Sequence, residues 1–221
     1  MEILCKIFLL FIIYSIIGWI FESIYVFIID KKFFNRGFLI GPYCPIYGIG
    51  CIAIIYLLEP FKSYPLLLLL MTILSCSILE YFTSYILEKV FNARWWDYSN
   101  CKFNINGRIC MQTMIPFGIG GLFVTYIINP FIQKLINGIP INTLYIITII
   151  VAIIYFTDLI ISSKVVFQVN KSLDRLSKDN TQEIKEKVKS WLLKQSYFSK
   201  RFVNAFPNIG KNIKKILIRK S

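Results

Sequence analysis

Residues 35–58 read NRGFLIGPYCPIYGIGCIAIIYLL: a basic start, four glycines and two prolines, then an unbroken apolar run. Glycine weakens a helix through its backbone freedom, and proline through its missing N–H. Concentrating both at the entrance to a hydrophobic segment lets another helix or a ligand approach the backbone. It also frees carbonyls that something outside the helix must satisfy.

The surrounding chain says what the segment enters. Its 221 residues are 56% hydrophobic with a mean hydropathy of +0.61, the balance of a polytopic membrane protein. A window of about 20 apolar residues spans the hydrocarbon core. Five such windows can be drawn, at 3–29, 43–58, 65–90, 109–128 and 141–163. The first is too long for the apolar part of a signal peptide and no small-residue cleavage site follows it, so it reads as a retained span. The expected fold is all-α: a transmembrane domain over 1–163 with about five helices, followed by a basic helical tail over 164–221.

Charge orients these spans. The loops after the first and third carry Lys31, Lys32, Arg36, Arg94, Lys102 and Arg108, whereas the other two carry only Lys62 and Lys134. The tail adds fifteen basic residues against four acids. By the positive-inside rule the tail lies in the cytoplasm and the N-terminus outside, in a multi-pass protein of the cell membrane. The formal charge of +13 then reflects topology and attraction to anionic headgroups, and no nucleic acid is needed to explain it. With no histidine and no C-x-x-C pair among the six cysteines, neither a metal site nor a cofactor is expected.

Three spans carry an acid in the half nearest the tail: Glu22, Glu80 and Asp158. Ser15, Gly18 and Glu22 share a helical face, as do Ser77, Glu80, Ser84 and Glu88, and Tyr155, Asp158 and Ser162. Charge inside a bilayer must face protein, water or a partner. The carboxylates can bind a cation, accept a proton or orient a polar substrate in a shared interior. Alternatively they pair with Arg36, Arg94 or Arg108 and lock the helices together.

The fourth window opens much as the second does, with NGRICMQTMIPFGIGG at 106–121. Asn35 to Pro45 and Asn106 to Pro116 have equal separations, and each run continues into Gly-x-Gly. Two parallel units are expected, each a long acid-bearing span followed by a short Gly/Pro-interrupted one; such matched interruptions point to a transporter binding site. Close packing by small residues explains them equally. Between the units, Trp95, Trp96 and Tyr98 suit a headgroup-level belt, or a grip on a headgroup or partner. The tail holds two amphipathic runs, around 184–192 and 209–217, suited to an anionic membrane surface or a cytosolic partner.

The ordered blocks GWIFESIY, NRGFLIGPYCPIYG, TSYILEKVF, WWDYS and NINGRIC resemble the bacterial ABC-transporter permease family of the CmpB type, over roughly 11–129. The resemblance implies a membrane subunit served by a separate ATPase, because the chain has no phosphate-binding G-x-x-x-x-G-K-[ST] loop. It carries over Glu22, Asn35, Arg36, Gly37, Gly41, Pro42, Pro45, Glu80, Asp97, Asn106, Gly107 and Arg108 as family-characteristic positions without assigned roles. No EAA-type coupling segment is present. The expected function is a permease whose path candidates are Glu22, Glu80, Asp158, Arg36 and Arg108, with no catalytic residues. Its partners would be the bilayer, anionic lipid at the tail, an ATPase subunit and, in a homo-oligomer, further copies of itself. The alternatives are a membrane scaffold or regulator acting through the tail, and an intramembrane enzyme acting on lipid.

Overall fold

The structure is a computed structural model and describes residues 1–31, 35, 37, 39–91 and 95–178. It is an all-α membrane fold of six helices among the described residues: α1 (Glu2–Asp30), α2 (Pro45–Leu57), α3 (Pro65–Phe91), α4 (Met111–Phe123), α5 (Asn129–Asn137) and α6 (Ile141–Lys178). A five-residue π turn, Val124–Ile128, joins α4 to α5 in one continuous rod. A small ribbon of β1 (Asn104–Ile105) and β2 (Ile109–Cys110) precedes α4. Four rods are long and apolar enough to cross a membrane: Glu2–Ile28, Pro65–Val90, Met111–Asn137 and Ile141–Gln168.

The outer surface is apolar, as a lipid-facing one should be. Leu66, Leu70, Leu74, Ile78 and Phe82 on α3 and Ile146, Ile149, Ile153 and Ile160 on α6 are all exposed. The polar faces turn inward: Ser15, Ser77, Glu80, Ser84 and Ser162 are buried. Helices that are apolar nearly all round can bury their few polar groups only against one another, and that requirement sets their rotation.

The second crossing is built differently from the expected helix over 43–58. At 13 residues, α2 is only about 20 Å long, short of the roughly 30 Å hydrocarbon core. Its start lies beside the middle of α1, where the Cys44 N–H donates to the Ser15 carbonyl at 2.9 Å. Its far end reaches the first turns of α1, with Ile55 in one apolar cluster with Cys5, Leu9 and Leu10. Irregular chain over 39–44 leads into α2. There the fully buried Leu39 plugs between α1 and α6 against Ile12 and Tyr155.

The other boundaries move less. The third span matches its expected limits. The fourth begins at Met111 and continues to Asn137, because Pro116 and Pro130 are absorbed within or at the first turns of helices. The helix of the fifth runs on past residue 163, since α6 continues to Lys178. The amphipathic runs expected in the tail lie outside the described residues.

Two helix pairs, α1 with α2 and α3 with α4, form the closest packing. Glycines permit it. A Cβ on Gly48 would collide with Ser15 Oγ and the Phe11 carbonyl, one on Gly18 with the Tyr47 ring, one on Gly118 with Ile73, and one on Gly121 with Thr72. Gly120 has nothing nearby. Gly48→Ala and Gly121→Ala should each lower stability by about 1–3 kcal/mol through overpacking, whereas Gly120→Ala should be neutral or slightly stabilising. Thermal unfolding of the purified protein in detergent checks this, and an unchanged midpoint for Gly48→Ala would refute the close approach.

Candidate functional site

Irregular backbone inside a membrane needs partners for every N–H and C=O. Asp158 supplies several. Its Oδ1 accepts the Ile40 N–H at 2.9 Å and its Oδ2 the Gly41 N–H at 2.7 Å. Ser162, one turn along α6, donates to Oδ1 at 2.8 Å and accepts from Ile40 at 3.2 Å. A carboxylate holding backbone donors gives strong, charge-assisted bonds. A Cβ on Gly41 would press on the Tyr43 ring and Asp158 Oδ2, so glycine is required for the carboxylate to come so near.

Asn35 completes the anchor. Its Oδ1 accepts from Trp19 Nε1 at 2.8 Å and from the Gly37 N–H at 3.1 Å, and its Nδ2 donates to the Ile40 carbonyl at 3.0 Å. Pro45 then opens α2, in the first turn where a missing N–H costs nothing. Pro42 lies between the two anchors. Arg36 lies outside the described residues, as does Arg94.

The other two acids converge. Glu22, late in α1, accepts from Tyr47 in the first turn of α2 at 2.5 Å. Glu80, late in α3 and 5% exposed, has the hydroxyls of Tyr98 and of Thr113, in the first turn of α4, nearby, the latter donating to the Cys110 carbonyl at 2.9 Å. Glu80 lies within the electrostatic reach of Glu22, and Tyr98 within that of both. Each helix pair thus contributes an acid from the end of its first helix and a hydroxyl from the start of its second. Burial pushes the Tyr98 phenol above its ordinary range, and the neighbouring Glu80 adds to the shift, so Tyr98 is a neutral donor here.

Arg108 is engaged elsewhere. It pairs with Glu88 at 2.7 Å, reaches Ser84 Oγ at 3.3 Å, and lies over the rings of Tyr81 and Tyr85 at 5.7 and 5.3 Å. It stands on a ribbon whose tip, Asn106 and Gly107, takes positive φ of 53° and 66°. The Arg108 N–H closes that tip on the Ile105 carbonyl at 3.0 Å. Asn-Gly at such a turn is the strongest short hairpin signal in a sequence, so the ribbon was open to detection where only a loop and a span were expected. Asn106 also donates to the Tyr81 hydroxyl at 3.0 Å.

The aromatic residues of this loop turn inward as well as outward. Trp95 is buried, Trp96 Nε1 donates to the Arg108 carbonyl at 2.9 Å, and Tyr98 faces Glu80. Asp97 holds the loop by accepting from the Ser99 N–H at 3.0 Å and Oγ at 2.5 Å. The two Asn-to-Pro runs adopt different local structures. Asn35 is a hydrogen-bond hub, Asn106 a turn residue, and the likeness of the units lies in their helix pairs.

A family model described as "Putative ABC-transporter type IV" matches residues 9–163, well over half of the chain. Neither a curated protein nor a solved structure matches it.

Removing the Asp158 carboxylate orphans the Gly41 N–H, at about 1–3 kcal/mol, and leaves the Ile40 N–H only its longer bond to Ser162. Asp158→Ala should therefore lower the unfolding midpoint markedly and Asp158→Asn less, because the amide oxygen still accepts. The buried Cys44 thiol should become reactive toward a membrane-permeant maleimide in Asp158→Ala, and continued protection would argue against the anchoring role.

Proposed function

The chain belongs to the ABC-transporter type IV family, and from that premise we propose that it is the membrane-embedded subunit of a transporter energised by a separate ATPase. The observation that carries this reading is the convergence of Glu22, Tyr47, Glu80, Tyr98 and Thr113 where two helix pairs and the ribbon meet. Such a polar interior inside an apolar exterior is what a path for a polar solute requires. The chain has no phosphate-binding loop of its own, which is why a second subunit is part of the proposal.

In this reading the ribbon end of the bundle, with the basic loops and the tail, lies in the cytoplasm, and the N-terminus lies outside. Glu22 and Glu80 act within the path, and Arg108, held by Glu88 and two tyrosines, braces the ribbon over it. Asp158 holds the irregular segment in place. Movement is expected where the second and fourth crossings depart from regular α-helix, at 39–44 and at the π turn 124–128. The full engagement of Arg108 favours transport over an enzyme that would need this guanidinium free to grip a lipid phosphate.

Crosslinked affinity purification from native membranes should recover a stoichiometric nucleotide-binding subunit with the full chain. A chain truncated after Lys178 tests whether the basic tail or the bundle recruits it. In the recovered complex, Glu22→Gln should cut membrane-coupled ATP turnover severalfold while leaving assembly intact. Recovery of this chain with lipid alone, under conditions that preserve other transporter complexes, would overturn the proposal.

A further inference from the structure

Among the described residues, Glu22 and Glu80 have neither a positive partner nor a set of backbone donors, unlike Asp158, Glu88 and Glu2. Asp158 is held by backbone donors, and Glu88 is paired with Arg108 and Glu2 with Lys6. The described groups near the Glu22 and Glu80 carboxyls are Tyr47 from α2, Cys76 from α3, Tyr98 from the loop before the ribbon, and Thr113 from α4. None of them is a base. A low-dielectric interior disfavours an ionised carboxyl, and a second acid within electrostatic reach disfavours it further.

A second observation identifies the atom. Glu80 Oε2 is buried and has no hydrogen-bond partner on a side chain 5% exposed. A carboxylate oxygen sealed from water without a donor is among the most expensive groups to leave bare, whereas a protonated one is neutral. The hydroxyls present can each donate one hydrogen bond; Tyr47 spends its own on Glu22 and Thr113 its own on the Cys110 carbonyl at 2.9 Å. Among the described residues there is no cluster of three or more histidine, cysteine or acidic side chains of the kind that holds a metal.

We propose that Glu80, with Glu22 as its neighbouring acid, forms a proton-binding pair in which Glu80 Oε2 carries one exchangeable proton taken up from water at the ribbon end of the bundle. The pair gives the transporter a protonation step within its path. This deepens the reading of the cluster as a transport interior and rests on it for its role, but proton binding itself can be measured on the chain alone.

The test is infrared difference spectroscopy of the full-length protein in lipid nanodiscs during a pH titration, with no partner subunit and no transport assay. The wild type should show one protonated-carboxyl C=O band at neutral pH that shifts on deuterium exchange and disappears at alkaline pH. Glu80→Gln should abolish it. Glu22→Gln removes the like charge, so the ionised form of Glu80 becomes easier to reach and the midpoint should fall by about one pH unit or more. Tyr98→Phe removes a donor to the carboxylate and should move the midpoint upward. That pair of opposite shifts keeps the proposal testable even if Glu80→Gln fails to fold. A wild type with no protonated carboxyl at neutral pH overturns the proposal. So does a band that survives Glu80→Gln, or one displaced by sodium or potassium at constant pH. Transport could fail with the band present, or persist with it absent, so the two readings are separable.

Discussion

Backbone hydrogen bonding inside hydrocarbon is the constraint on which the rest of this structure depends. A helix satisfies its own N–H and C=O groups, but the chain over 39–44 leaves the helical conformation deep among the helices and must find partners elsewhere. Asp158 and Ser162 reach across from α6 to the Ile40 and Gly41 N–H groups, and Ser15 in α1 offers its carbonyl to Cys44. Those bonds tie the first and last crossings to the second. They let a 13-residue helix serve in a crossing that it is too short to make alone.

With that segment in place, α2 begins beside the middle of α1, and the Tyr47 side chain leans back toward the start of its helix, as helical side chains do. That direction brings its hydroxyl to Glu22, one turn along α1 from Gly18, against which the Tyr47 side chain packs. The second pair repeats the arrangement with Glu80 and Thr113. Its glycines, Gly118 and Gly121, bring α3 and α4 together as Gly18 and Gly48 bring α1 and α2. Lipid supplies no hydrophobic drive between helices, so close backbone approach and buried polar contacts hold such a bundle together. Here both are concentrated in the same two seams.

Much of this was legible along the chain. Apolar length located α1, α3 and the start of α6, and helical spacing put Glu22 and Glu80 on buried faces. The partners were not legible. Nothing in helical periodicity singles out Tyr47, Tyr98 or Thr113, because each meets its acid across a helix pair or from a loop. The ribbon at Asn106 and Gly107 carried a recognisable turn signal that the long apolar pattern masked. Asp158 shared the same stripe logic as the other acids, yet its neighbours across the bundle are backbone N–H groups.

What the sequence by itself determined was solvent and period: uncharged stretches long enough for lipid, small residues and acids at helical spacing, and basic residues concentrated in alternate loops. These are local properties, set by each residue's own transfer energy and by its distance along one helix. Only the tertiary structure decided which acid faces which donor. Burial makes every charge seek a partner, but the partner's identity depends on helix depth and rotation, which are shared properties of the whole bundle. Hence three acids with similar sequence surroundings end in different company: Asp158 among backbone donors, and Glu22 and Glu80 near hydroxyls.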